Sequence, residues 1–287
     1  VQIRQYIQCW TDLEIDSTVE SSVKNMALYS YATTLDQGYL FPFGTTSRRR
    51  PFGKVGEGVV TEDSYSLIQD MYPITSKSYH AEKVGHWILH TTKWHVFFNY
   101  AVSKFNSHRD FDALSIMIAT NKEGLWLSDP GPFARQGDKE WEAERAEHFS
   151  ATKHHNTVTI DGKDQPPKSG KLVYSDSHAI TASFLTHTRR VEVNDEEIII
   201  VDTMNPQDNE MHTYQQTWHL DPEVRVEGNK LWKGRSCILV ISSHALEIQQ
   251  AKHSYDYHQS VTTNELIIIA IGKNTATLNT RFKKCKS

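Results

Sequence analysis

Two stretches of this chain gather the side chains that bind metals and move protons. The first reads His108-Arg109-Asp110-Phe111-Asp112-Ala113-Leu114-Ser115, the second His154-His155-Asn156-Thr157, and Asp129-Pro130-Gly131 lies between them. In extended chain, His108, Asp110, Asp112 and Leu114 project from one face. A hairpin turning around residues 120–123 returns Asp129 to the level of Asp110. Carboxylates facing one another across strands repel, and a divalent cation is an economical compensation. An imidazole from His154 or His155, where a loop enters another strand, completes a shell of two carboxylates and one nitrogen. Solvated polar residues at loop ends would leave the same pattern in the sequence. Asp110 and Asp112 also have the spacing of paired carboxylates in a retaining glycoside hydrolase, although a metal role competes for Asp110.

Such groups need a rigid frame, and the hydrophobic periodicity says which kind. Up to about residue 36 the apolar positions keep helical spacing: Ile3, Tyr6, Ile7 and Trp10, then Val19, Val23, Met26, Ala27 and Tyr31. Asp16-Ser17 with Glu20 makes a capping box for the second helix, and Gly38 is a natural stop. A turn-rich stretch to Gly58 carries Arg48-Arg49-Arg50, read as a solvated loop or a contact for an anionic polymer. From about Tyr79 the period becomes two. Strands are predicted at 84–91, 95–102, 112–119, 125–129, 156–160, 179–185, 190–193, 198–202, 214–220, 237–242 and 265–271, with a helical patch near 139–147. Strand following strand without intervening helices means antiparallel sheets, so the predicted fold is mainly β: a large antiparallel sandwich behind a short helical segment. The expected division is a helical piece with its linker at 1–58 and the sandwich at 59–287.

Composition narrows the function classes. A formal net charge of −4 and a pI near 6.4 argue against a nucleic-acid binder. The strongest apolar run, 266–271, has strand length and not membrane-helix length. The opening at Val1, with neither methionine nor a signal-like stretch, reads as a processed or trimmed chain, so the compartment is not legible there. Cys9, Cys237 and Cys285 form no CxxC pair; free thiols are expected, with a Cys9–Cys237 bridge left open. The 12 tyrosines and 7 tryptophans suit either a sugar-stacking surface or the core and cross-strand filler of a sandwich.

The ordered blocks resemble the C-terminal half of heparinase II/III-like polysaccharide lyases. The family's His-x-His-x-Asp-x-Leu-Ser stretch corresponds to His108 through Ser115, and its Asp-x-Gly to Asp129-Pro130-Gly131. Its Ser/Thr-rich approach to His-Asn-Thr-Val and Asp-Gly corresponds to Phe149 through Gly162. His187-Thr188-Arg189-Arg190-Val191, Ile200-Val201-Asp202 and Trp218-His219-Leu220 follow in the family's order, and Gly38 to Gly44 resembles the handover from helical toroid to sandwich.

The resemblance implies β-elimination on a uronic-acid polysaccharide. It places metal ligands at Asp110, Asp129 and His155, for a divalent ion expected to be zinc. Asp110 stands where the family has histidine, and this harder donor brings manganese or calcium into range. It places His108 at the active-site cleft, with supporting the metal ligands as its other reading. Arg135 and Arg145 are then candidate substrate-binding groups on one wall, the helical toroid or a partner chain supplying the rest. It also implies a periplasmic or secreted protein and an anionic polysaccharide partner, while the charge and the short apolar runs lead us to expect no nucleic-acid or membrane partner. A non-catalytic carbohydrate-binding or structural sandwich, keeping the metal as a staple, is the alternative.

Overall fold

A computed structural model describes residues 17–33, 35, 41, 78–101, 110–134, 137–168 and 170–286. The first predicted helix, the Gly38 stop, the arginine run, the boundary at 58/59, Cys9, His108 and Arg135 lie outside the described residues. The second predicted helix is present as α1 (Ser17–Ala32), and the helical patch as α2 (Glu142–His148).

Seventeen strands among the described residues form three sheets, and every pairing is antiparallel. The first sheet is a meander of β1 (Tyr79–Ala81), β2 (His86–His90), β3 (His95–Asn99), β4 (Ser115–Thr120) and β5 (Gly124–Leu127). A four-stranded sheet has the order β15 (Leu246–Asp256), β16 (Gln259–Lys273), β11 (Met211–His219) and β6 (Val158–Ile160). A bridge between Leu127 and Leu220 joins these two sheets where β5 and β11 end. The eight-stranded sheet begins with β12 (Arg225–Glu227), β13 (Lys230–Lys233), β14 (Ser236–Ser242) and β17 (Ala276–Lys284). It continues with β10 (Glu197–Met204), β9 (His187–Val193), β8 (Ala179–Phe184) and β7 (Lys171–Ser175).

Burial follows from what covers each face. β9 and most of β10 alternate buried and half-buried positions, because one face meets the core and the other does not. β3, β4 and β5 are buried at every position. Their Val96, Phe98, Ile116, Ile118 and Trp126 join the main core, which also takes in Ile200, Trp218, Ile268 and Phe282 from the other sheets. Their Phe97, Met117, Ala119 and Leu125 form a second cluster with Ala32, Leu35 and Phe41, against which Tyr29 of α1 packs. Trp94, Trp126 and Trp218 are fully buried. They therefore serve as core filler, each stabilising by roughly 2–3 kcal/mol.

The cysteine expectation is corrected. β14 pairs with β17 in a register that sets Ile238 opposite Lys284. One step further along, Cys237 meets Cys285 at a Cα–Cα distance of 5.3 Å, and the two are disulfide-bonded. Six strands went unpredicted: β1, β7, β12, β13, β15 and β17.

Candidate metal and active site

The chain reaches the site through a turn, not through the extended strand predicted over 112–119. The Ser115 amide donates to the Asp112 carbonyl at 3.0 Å, and Leu114 sits at φ 61°. β4 starts only at Ser115. The turn breaks the two-residue alternation, so Asp110 and Asp112 do not simply share a strand face. The predicted hairpin is present: Thr120 pairs with Gly124, and the return strand carries Asp129 back beside the turn. His155 arrives from a short 3-10 turn (Thr152–His154) that leads toward β6.

Asp112, Asp129 and His155 are buried, and one ligating atom from each lies within 4.8 Å of the others. Asp112 Oδ2 accepts from Asn99 Nδ2 at 2.9 Å. Asp129 Oδ2 is bonded to His155 Nδ1 at 3.0 Å, and its Oδ1 accepts the Gly131 amide at 3.0 Å. Gly131 is at φ 95°, and a Cβ there would lie 1.8 Å from the Ser254 carbonyl oxygen, so the Asp-Pro-Gly turn needs glycine. Asp110 lies at the margin of this group, its Oδ1 accepting from Arg145 Nη2 at 3.2 Å.

The three side chains after His154 fasten three different segments. His155 holds Asp129, as above. Asn156 Nδ2 donates to the Ser128 carbonyl at 2.8 Å, and its Oδ1 accepts the His219 amide at 2.6 Å. Thr157 Oγ1 donates to the Ala113 carbonyl at 2.8 Å. Beneath them sits Arg189, fully buried on β9. Its Nη1 donates to the carbonyls of Leu114, at 2.6 Å, and of Asn156. Its Nε and Nη2 grip the Asp202 carboxylate at 2.7 and 2.8 Å. Asp202 also binds His187 Nε2 and Gln216 Nε2, each at 2.6 Å; against the opposing effect of burial, Arg189 and His187 hold its carboxyl far below the usual range. The guanidinium thus ties the turn after Asp112 to the residue after His155.

The electrostatics leave room for a cation. Burial, opposed by His155 and reinforced by Asp129, pushes Asp112 up to about 6. Burial, with the same neighbours and Asp112, pushes Asp110 up to about 7. Burial works to lower His155, but Asp129, Asp112 and Asp110 raise it to about 9. Each shift expresses an excess of negative charge in a dry place. Among the described residues, the three carboxylates are met by one guanidinium and one imidazole, and His155 Nε2 is buried with no hydrogen-bond partner. An oxygen-rich set with one nitrogen fits a divalent ion, held by Asp112, Asp129 and His155.

Of the predicted ligands Asp110, Asp129 and His155, the structure groups the last two and adds Asp112. Arg145, expected to bind substrate, is buried against Asp110 and acts as a counter-charge to the cluster, not as a group offered to solvent. His154 is committed elsewhere: its Nδ1 and His219 Nδ1 each lie 2.9 Å from Oε1 of the buried Glu265. Burial alone would raise Glu265, but these histidines hold it down at about 2. Arg189 and Asp202 were assigned no role from the sequence. The available signal was an arginine on the same face of its strand as Val191 and Val193, where a sandwich core is expected.

The family model described as heparinase II/III-like, C-terminal, matches residues 73–281. In fold, the chain is similar to the crystal structure of heparan sulfate lyase HepC from Pedobacter heparinus, with a TM-score of 0.79 at 14% identity. That match covers 96% of this chain and 48% of the other. The heparinase III BT4657 gene product aligns with a TM-score of 0.79 at 13% identity, over 96% of this chain and 47% of that one. A further heparinase III structure gives 0.72 at 15% identity, over 94% and 49%. The chain therefore spans about half the length of these structures. No curated protein sequence matches it.

Proposed function

Since the chain belongs to the heparinase II/III-like family, we propose that it forms the sandwich half of a polysaccharide lyase acting on a uronic-acid-containing polymer. The reaction is β-elimination. A base takes the proton at C5, the electron pair forms the C4–C5 double bond, and the C4–O4 bond breaks as O4 takes up a proton. The C5 proton is acidic enough only when the neighbouring carboxylate is neutralised and the carbanion stabilised. His108, two residues before Asp110, is assigned to the cleft rim as a proton-moving group, with Arg135 beside the substrate carboxylate. A helical domain supplies the remaining groups.

The observation that carries the reading is the buried Asp112–Asp129–His155 group, built from the stretches that resemble the family's motifs. A divalent ion there, zinc by resemblance and manganese or calcium by the two carboxylates, supplies positive charge that holds the three segments together. Holding these segments would also restrain the chain that carries His108, two residues before Asp110 in sequence. The Cys237–Cys285 bridge supports an oxidising compartment, and with it a periplasmic or secreted protein. Among the described residues, no helix is long and apolar enough to cross a membrane.

The test follows the ultraviolet absorbance of an unsaturated uronate end, using the full-length protein and uronate polymers. His108→Ala should lower turnover by orders of magnitude with little change in melting temperature. Asp129→Ala should lower melting temperature and abolish stoichiometric metal, measured by elemental analysis on protein purified without chelator. Binding without any turnover would favour the carbohydrate-binding alternative. An early-melting, fully active His108→Ala would remove His108 from the active site.

A further inference from the structure

The closed end of the β4–β5 hairpin lies about six residues, or roughly 20 Å, from the metal cluster at its open end. A cavity of about 330 Å³ opens there, at the lower end of the range of small-molecule sites. Arg235, Lys284 and Lys286 line it, together with Trp232, Glu123 and the Cys237–Cys285 bridge. The charges do not cancel locally. Glu123 has its oxygens taken by hydroxyls, Oε2 by Thr120 at 2.8 Å and Oε1 by Ser236. None of the three cations makes an ion pair among the described residues. Lys284 Nζ donates to the Lys93 carbonyl at 3.2 Å and stands 5.0 Å over the Trp94 ring. Burial, reinforced by Lys93 and only partly opposed by Glu123, depresses the Lys284 ammonium. Trp232 adds a buried indole N–H that meets no acceptor.

Three cations and an unsatisfied N–H around one hollow form a receptor for an oxyanion, and a half-buried indole beside it suits a pyranose ring. We propose that this cavity is a second anion-binding site, taking a sulfate or carboxylate substituent of a saccharide unit at a distance from the metal cluster. In a polymer-acting protein it would grip the chain away from the point of cleavage. The saccharide part rests on the lyase reading above; the anion part does not.

The intact protein is titrated with sodium sulfate, with a sulfated uronate oligosaccharide and with a neutral oligosaccharide of equal length, by calorimetry and tryptophan emission. The sulfated oligosaccharide should bind and change the emission, sulfate should compete with it, and the neutral one should be at least tenfold weaker. Arg235→Ala/Lys286→Ala, at exposed positions, should weaken binding on the order of tenfold or more through lost charge-assisted contacts. Trp232→Phe should remove the emission change. Binding of sulfate alone keeps the anion site and overturns its saccharide assignment. Unchanged affinity in the double variant, with its melting temperature intact, overturns the proposal. Elimination is measured in parallel: a protein that binds here but never cleaves sinks the lyase reading and leaves this site standing.

Discussion

Replacing Arg189 with methionine keeps the volume of the side chain and removes its charge and five donors. Four hydrogen bonds disappear: two to Asp202 and one each to the carbonyls of Leu114 and Asn156. Asp202 would remain fully buried with only His187 and Gln216 as side-chain partners. Removing one member of a buried ion pair costs about 3–5 kcal/mol, and each carbonyl left without a partner about 1–3 more, with overlap among them. A net loss of about 5 kcal/mol is expected. For a domain of this size that lowers the melting temperature by roughly 10–20 °C. Arg189→Met/Asp202→Asn should recover about half of it, because the stranded charge is gone while the two carbonyls stay unsatisfied. Urea unfolding followed by tryptophan emission suits the measurement, since Trp218 lies 5.1 Å from the guanidinium. Metal content measured alongside should fall in both variants, as the turn after Asp112 and the residue after His155 lose their common tie. A cost under about 1 kcal/mol, or a double variant less stable than the single one, would refute the reasoning.

Gly131→Ala should cost about 2–4 kcal/mol, from a left-handed alanine and a Cβ placed on the Ser254 carbonyl; a melting temperature within a degree of wild type would show that the Asp-Pro-Gly turn yields. Asn156→Asp keeps the acceptor for the His219 amide but turns the Ser128 contact into two facing oxygens, so a loss of about 2–4 kcal/mol in urea is expected; wild-type stability would mean that Asn156 fastens nothing. Burial holds His86 down at about 4, and the unfolded chain takes up its proton near 6.5, so this contribution is intact above 6.5 and lost as pH falls toward 4, by about 3 kcal/mol. Glu265, depressed to about 2, adds a second loss as pH falls from 4.5. The difference in stability between wild type and His86→Phe should thus shift by about 3 kcal/mol between pH 7 and 4, the raised carboxyls of Asp110 and Asp112 acting alike in both; a difference that stays constant over that range would contradict the burial argument.

The sandwich was legible because its core-facing positions are apolar at every second residue, as along Val191, Val193, Ile198 and Ile200. The unpredicted strands lack that contrast. β17 turns Leu278, Thr280 and Phe282 inward, so a threonine interrupts its apolar row. β15 reads Leu246-Glu247-Ile248-Gln249-Gln250-Ala251-Lys252-His253, and the residues it buries, His253 and Ser254, are polar. The disulfide escaped for a related reason, since its pairing depends on the register of β14 against a strand the pattern did not disclose. Asp129 and His155 were legible through motif and hairpin. That Asp112 rather than Asp110 joins them was not legible, because the left-handed Leu114 turns the chain before β4, and period-two reasoning assumes no such turn.

A candidate ligand set drawn from three distant segments has no local reason to hold its shape, and its two carboxylates, with Asp110 at the margin, drive it apart. The structure answers with groups contiguous in sequence but divergent in direction. His155, Asn156 and Thr157 reach the segments of Asp129, of Ser128 with His219, and of Ala113. A short motif can therefore mark the site although the site itself is assembled across sheets. What the triplet cannot supply is a fixed distance between its own backbone and the Asp112 turn. Arg189 supplies that from a core strand, and Asp202 makes the buried guanidinium tolerable. Asp202 in turn needs Gln216, whose Oε1 accepts from Thr280 of β17 at 2.6 Å. The ligand geometry is thus referred, bond by bond, to the middle of the eight-stranded sheet, the part of the sandwich with most neighbours to hold it still. On this account, substitutions at Gln216 or Thr280 act on the site through Asp202 and Arg189 without touching it.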